Sequence, residues 1–116
     1  MVDDEAPVRT ALGRLLRSAH YDVASFASGE EFLAAFEQEP PHCVILDIHM
    51  PGLSGLDVQL QLRARHNPVP IVFISASDDI SVGVAVVQGG GQLLLRKPFS
   101  SSDLLEAVDA AVHSTP

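Results

Sequence analysis

Apolar positions along the 116-residue chain follow two alternating rhythms. Val8, Ala11, Leu12, Leu15 and Leu16 recur at helical spacing, which predicts an amphipathic helix over residues 5–19. Residues 21–26 read as a short strand. Phe32, Leu33 and Phe36 give a second helix its apolar face, Ser28 and Glu31 have the spacing of a capping box, and Pro40-Pro41 stops it. Residues 42–48 form a near-continuous apolar run, as expected for a strand covered on both faces. Residues 51–55 read as a loop, and residues 56–66 as a third helix bounded by Asn67-Pro68. The segment 70–75, containing "IVFIS", reads as another doubly covered strand. Residues 79–88 suggest a fourth helix ended by Gly89-Gly90-Gly91, and "QLLLR" a last short strand. Residues 100–102 can cap a final helix in which Leu104, Leu105, Val108 and Val112 share a face.

Strands and helices alternating in this way predict an α/β fold, a parallel sheet with helices on both faces. Such sheets bind ligands in the crevice at the carboxyl ends of their strands. Asp3-Asp4 precede the first helix, Asp47 ends the third strand, Ser75 the fourth and Lys97 the fifth, so the fold would gather all of them. Asp47 is the most telling, because a carboxylate closing so apolar a run must be paired, hydrogen-bonded or metal-bound.

Three carboxylates in one crevice repel one another until a proton or a cation relieves them. Mg²⁺ suits the setting, with hard oxygen ligands, retained waters and a substrate phosphate. A carboxylate can also act as a nucleophile and form an acyl phosphate. Phosphoryl transfer then needs in-line positioning and positive charge around the equatorial oxygens. Lys97, the only lysine among seven basic residues, and Mg²⁺ would supply that charge, and Ser75 a hydrogen bond.

Composition narrows the picture. The length suits one domain, residues 1–116, with a real core. Hydrophobic residues make up 47% and charged residues 19%, the balance of a globular chain. A net charge of −8 argues against gripping nucleic acid through phosphates and suits a metal cation or a basic partner. No apolar run approaches the roughly 20 residues of a membrane span, and no signal-peptide pattern is visible. The lone Cys43 excludes a disulfide framework and fits a reducing, cytoplasmic compartment. His20, His42, His49, His66 and His113 have no metal-ligand spacing and read as surface or loop residues. Gly89 to Gly91 lack the GKS/T of a phosphate loop and read as a helix-ending turn.

Taken together, "VDDE", "VILDIHMPGLSG", "VFISAS" and "RKPF", in this order and spacing, resemble the receiver domain of bacterial two-component response regulators, most closely the FixJ type. The resemblance covers essentially the whole chain. It implies a flavodoxin-like (βα)5 fold with sheet order 2-1-3-4-5, and phosphotransfer from a histidine kinase or phosphotransfer protein to Asp47. It implies that Asp4 and Asp47 bind Mg²⁺ directly, that Asp3 acts mainly through water, and that the His49 backbone carbonyl completes the ligand set. Ser75 would be the switch hydroxyl and Lys97 the phosphoryl contact, with a cis peptide at Lys97-Pro98 as is usual in the family.

Two departures stand out. Only Met1 and Val2 precede Asp3, so the first strand reads as truncated, which would leave its neighbours' ladder groups open and put the placement of Asp3 and Asp4 in question. Leu94 occupies the position of the family's switch aromatic, which weakens or reroutes the coupling between the hydroxyl and the output face. That face, the fourth helix with the last strand and helix, is the expected site of homodimerisation or partner docking. The leading expectation is therefore a phosphorylation-dependent signalling switch that catalyses only its own phosphotransfer, with no direct nucleic-acid or membrane binding. The rival is a phosphorylation-independent receiver-like interaction module. A small Mg²⁺-dependent phosphatase ranks below both, since no separate general acid stands out.

Overall fold

In chain order the elements are α1 (Ala6–Ser18), α2 (Gly29–Phe36), β1 (Val44–Asp47), α3 (Gly55–Ala64), β2 (Ile71–Ser75), β3 (Leu93–Arg96) and α4 (Ser101–His113). The computed structural model describes residues 1–36, 38, 41–65, 69–75, 93–97 and 99–113. The expected helix at 79–88, the glycine turn at 89–91, His66, Asn67-Pro68, Pro40 and the Lys97-Pro98 peptide lie outside them.

The three strands form one parallel sheet in the order β1-β2-β3, with Asp47 opposite Ile74 and Ile74 opposite Leu95. Val2 extends it, bridging in parallel to Leu46 on one side and Phe26 on the other. Counting segments along the chain, the order is 2-1-3-4-5, as the family resemblance implied. The first strand is short, yet its ladder is intact at this level. Val2 N–H donates to Ile45 O at 2.8 Å and Asp47 N–H to Val2 O at 3.0 Å. On the other edge, Asp3 N–H donates to Phe26 O at 3.1 Å and Phe26 N–H to Met1 O at 2.9 Å. The expected disturbance of Asp3 is therefore absent. The strand expected over residues 21–26 shrinks to Phe26 alone among the described residues, because a strand is made by its partner and this partner is short.

Alternation along the strands feeds two cores. Val44, Leu46, Ile71 and Phe73 face Phe32, Leu33 and Phe36 of α2 and Val58 and Leu62 of α3. Ile45, Val72 and Ile74 face Leu12 and Leu16 of α1 and Leu104, Val108 and Ala111 of α4. Helices thus cover both faces, which is why the strands read as unbroken apolar runs. Leu94 is half-buried against the α2/α3 side.

Helix ends are set by local chemistry. Ser54 and Asp57 form a reciprocal capping box that starts α3 at Gly55, so this glycine belongs to the helix and not to the loop assigned from sequence. Ser100 and Asp103 do the same for α4. At α2, Ser28 Oγ accepts from Glu31 N–H at 3.1 Å, but the Glu31 carboxylate takes the Ala27 N–H instead of closing the box. Helix α1 ends in a Schellman turn, with Tyr21 N–H on Leu16 O and His20 N–H on Arg17 O. That turn puts exposed His20 at φ +70°, a left-handed conformation glycine adopts without strain.

Replacing His20 by glycine is expected to raise stability by about 0.5–1 kcal/mol and the melting temperature by roughly 2–5 °C. Thermal unfolding followed by circular dichroism measures this, and an unchanged or lower melting temperature would contradict the strain assigned to that residue.

Candidate functional site

The carboxyl ends of the strands converge as expected. Asp47 closes β1 and is almost fully buried, at 3% exposure. The parallel bridge of Val2 to Leu46 carries Asp3, which is completely buried, to the same level. Asp4 follows it into solvent. Carboxylate oxygens of Asp3, Asp4 and Asp47 lie within 4.8 Å of one another. Ser75, also fully buried, ends β2, and its carbonyl accepts from the Lys97 N–H at 2.7 Å, so the ends of β2 and β3 are joined there. The Lys97 ammonium sits 3.6 Å from Asp3 Oδ2 and 3.9 Å from Glu5 Oε1. Exposed His49 begins the loop after Asp47, and its N–H donates to Asp47 Oδ1 at 3.2 Å. Each residue singled out in the sequence therefore lies at this edge of the sheet.

The two oxygens of Asp3 have different surroundings. Oδ1 accepts from the Glu5 N–H at 2.9 Å, which starts the turn into α1. Oδ2 is buried without a hydrogen-bond partner. A buried acceptor in that state is costly unless something electropositive faces it. Lys97 does so at ion-pair distance, but its ammonium is shared with Glu5 and acts on Asp47 as well. The imbalance acts on Asp47, whose carboxyl is pushed up from 3.8 to about 6. Burial is the main cause and the Asp3 charge the next. Lys97 and the His49 N–H pull the other way, and Asp4 adds a smaller upward push. A hard cation coordinated by oxygens fits this set, since it would face the orphaned Asp3 oxygen and neutralise crowded carboxylates together.

Other residues that shape the site were not singled out from sequence. Arg9 Nη1 donates to the Asp3 carbonyl at 2.7 Å. Helical side chains lean toward the N-terminus, so an arginine in the first turn of α1 could have been suspected of reaching back. Glu5 enters through its contact with Lys97. Gly55 donates its N–H to Ile48 O at 3.0 Å, and a Cβ there would collide with the Asp47 carbonyl oxygen. Only glycine lets α3 start so close behind Asp47.

Comparison with known proteins agrees with this geometry. A family profile described as the response regulator receiver domain matches residues 1–109. The transcriptional regulatory protein TdiR of Thauera aromatica is 43% identical over 112 residues, covering 97% of this chain and 49% of TdiR. The response regulator StyR superposes with a TM-score of 0.90 at 40% identity, covering 97% of this chain and 57% of that one. The chemotaxis protein CheY4 of Vibrio cholerae gives a TM-score of 0.88 at 25% identity, covering 95% and 93%. The chain spans about half the length of TdiR and similar curated relatives.

The raised Asp47 carboxyl has a defined pH signature. Its folded value exceeds the unfolded one, so the folded state binds the extra proton. Without divalent cations, stability is therefore highest below about pH 4 for this group and is lost as pH rises through 6, by about 3 kcal/mol. Asp47→Asn removes the charge. In EDTA at pH 7.5 it should melt several degrees above the parent, with the gap closing toward pH 4. Paired melts across pH read this out, and a variant no more stable than the parent at pH 7.5 would contradict it.

Proposed function

Because the chain belongs to the response regulator receiver domain family, whose members take phosphoryl groups from kinases and work as phosphorylation-dependent signalling switches, we propose that Asp47 is its phosphoacceptor. The observation that carries this is a buried carboxylate at a strand end, crowded by Asp3 and Asp4 and within the field of Lys97. Residues 1–116 act as one receiver unit. A phosphohistidine on a histidine kinase or phosphotransfer protein is the donor. A carboxylate oxygen of Asp47 attacks phosphorus, the new P–O bond forms as the P–N bond breaks, and the departing imidazole nitrogen keeps the bonding pair and takes a proton from water.

The residues divide the work. The His49 N–H on Oδ1 orients the Asp47 carboxylate. The Lys97 ammonium, released from Asp3, pairs with one phosphoryl oxygen, and the Ser75 hydroxyl donates to another. Receiver domains generally bind Mg²⁺ at an acidic pocket, and Asp3, Asp4, Asp47 and the His49 carbonyl would hold it here. Bound Mg²⁺ supplies the positive charge on the phosphoryl oxygens that a single lysine cannot. The chain performs phosphotransfer to and from its own aspartate and needs no separate substrate pocket.

Phosphorylation changes what the site attracts, and the change reaches a partner through elements that contact it. Ser75 ends β2, Lys97 directly follows β3, and β3 leads into α4. The β3/α4 side, with the segment at 79–88, is the proposed surface for homodimerisation or partner docking. With Leu94 in place of an aromatic ring, half-buried against the α2/α3 side of β3, the coupling runs through aliphatic packing. In a longer protein this unit would govern an attached output region, as the name of TdiR suggests for that relative. No helix among the described residues is long and apolar enough to cross a membrane, and a cytoplasmic setting beside the kinase fits this reading. The constitutive-module reading drew on the short first strand and on Leu94; the hydrogen bonds of Val2 and Asp3 and the clustering of Asp3, Asp4 and Asp47 support the switch instead.

Intact-mass measurement after incubation with acetyl phosphate tests the assignment. Folded protein should gain one phosphoryl mass with Mg²⁺, little in EDTA, and none in Asp47→Asn. A folded parent that gains nothing with Mg²⁺, or a variant that gains equally, would overturn it.

A further inference from the structure

The loop between β1 and α3 carries His49, and its hold on Asp47 has an outside support. The neck of the loop is closed by the Gly55 N–H on Ile48 O at 3.0 Å and by the close seat of Gly55 on the Asp47 carbonyl. The outer turn, residues 50–53, lies against the start of α2. A Cβ on Gly29 would come within 2.6 Å of Val58 Cγ2 and 3.2 Å of Leu53 Cβ, so helix and loop meet without a gap. Across this seam Glu30 Oε1 accepts the Leu53 N–H at 2.9 Å. Gly52 turns beneath it at φ +75°, where a Cβ would lie 2.8 Å from the same oxygen. Among the described residues Glu30 is the one side chain hydrogen-bonded to this turn.

We propose that Glu30 is a positioning residue for the phosphoacceptor loop: by holding the outer turn through Leu53, it keeps the His49 peptide seated on Asp47. The inference rests on the reading of Asp47 as phosphoacceptor and of the His49 carbonyl as a Mg²⁺ ligand. His49 lies between a neck fixed by Gly55 and a turn fixed by Glu30, and its own tie to Asp47 is a long one at 3.2 Å. Releasing the outer turn leaves that tie to hold the peptide alone. The Glu30 carboxyl reflects its task, being held below the usual carboxylate range chiefly by the Leu53 N–H, then by its own backbone N–H. It stays ionised and accepting wherever the switch operates. A glutamate two residues into an exposed helix start would otherwise be explained by the helix dipole alone. The dipole does not account for a carboxylate that also accepts the N–H of a neighbouring loop.

The test uses amide-resolved NMR on the full chain and on Glu30→Ala and Glu30→Gln, the second of which keeps a carbonyl acceptor. In the metal-free protein, hydrogen exchange at the Leu53 and His49 amides should be roughly three- to ten-fold faster in Glu30→Ala, the range set by one net hydrogen bond, and within about two-fold of the parent in Glu30→Gln. A Mg²⁺ titration followed at the same amides should show a dissociation constant weakened to a similar degree in the alanine variant and restored in the glutamine one. Unchanged exchange at His49 in Glu30→Ala, or a glutamine variant as impaired as the alanine one, would overturn the inference. A parent that binds no Mg²⁺ would refute the metal reading instead, and the exchange comparison would still decide the role of Glu30.

Discussion

The pairing of Val2 between Phe26 and Leu46 is the constraint on which the site depends. Two hydrogen bonds to β1, Val2 N–H to Ile45 and Asp47 N–H to Val2, fix the register that sets Asp3 beside Asp47. Both carboxylates are then buried by the same sheet that positions them. A one-residue slip would turn Asp3 to the other face and place Val2 or Asp4 in its stead. Parallel strands make such a juxtaposition possible, because their carboxyl ends all lie along one edge.

The price of that register is electrostatic, and function follows from how it is relieved. Buried carboxylates that share one lysine leave Asp47 reluctant to ionise and an Asp3 oxygen without a hydrogen bond. Two agents can ease this, a proton or a cation. The first is a pH effect, and the second is what an acidic pocket of this kind attracts. Contacts to the backbone hold the frame around these changes. Arg9 fastens the Asp3 carbonyl, Gly55 backs Asp47, and Glu30 secures the loop between them.

Much of this was legible in the sequence because it is written in local contrasts. Asp47 ends an apolar run, Lys97 is the single lysine, and Ser100 was legible as part of the cap of α4, whereas Ser54, which forms the box with Asp57, reads as loop, and the box expected at Ser28 and Glu31 forms only by half. Doubly covered strands announced themselves by unbroken hydrophobicity, and helices by their period, so the layered order followed. What escaped depends on approach between distant residues. The strand expected at 21–26 has the right composition, but its pairing is limited by the length of its neighbour. Gly55 looks like any loop glycine until the Asp47 carbonyl is seen behind it. Glu30 looks like a first-turn acidic residue until Leu53, 23 positions away, is found on its carboxylate. Leu94 was legible as a departure, and the structure adds that it packs toward α2 and α3.

The central claim is that the sheet holds Asp3 and Asp47 together in a state that a hard cation relieves. The most direct measurement is thermal unfolding across a Mg²⁺ titration at pH 7.5 and fixed ionic strength, for the parent and for Asp3→Asn with Asp47→Asn. Linkage predicts that the parent's stability climbs with the logarithm of Mg²⁺ concentration, by about 2.7 kcal/mol at a hundred-fold excess over the dissociation constant. The double variant should stay flat. A parent indifferent to Mg²⁺, or a variant that climbs equally, would contradict the account.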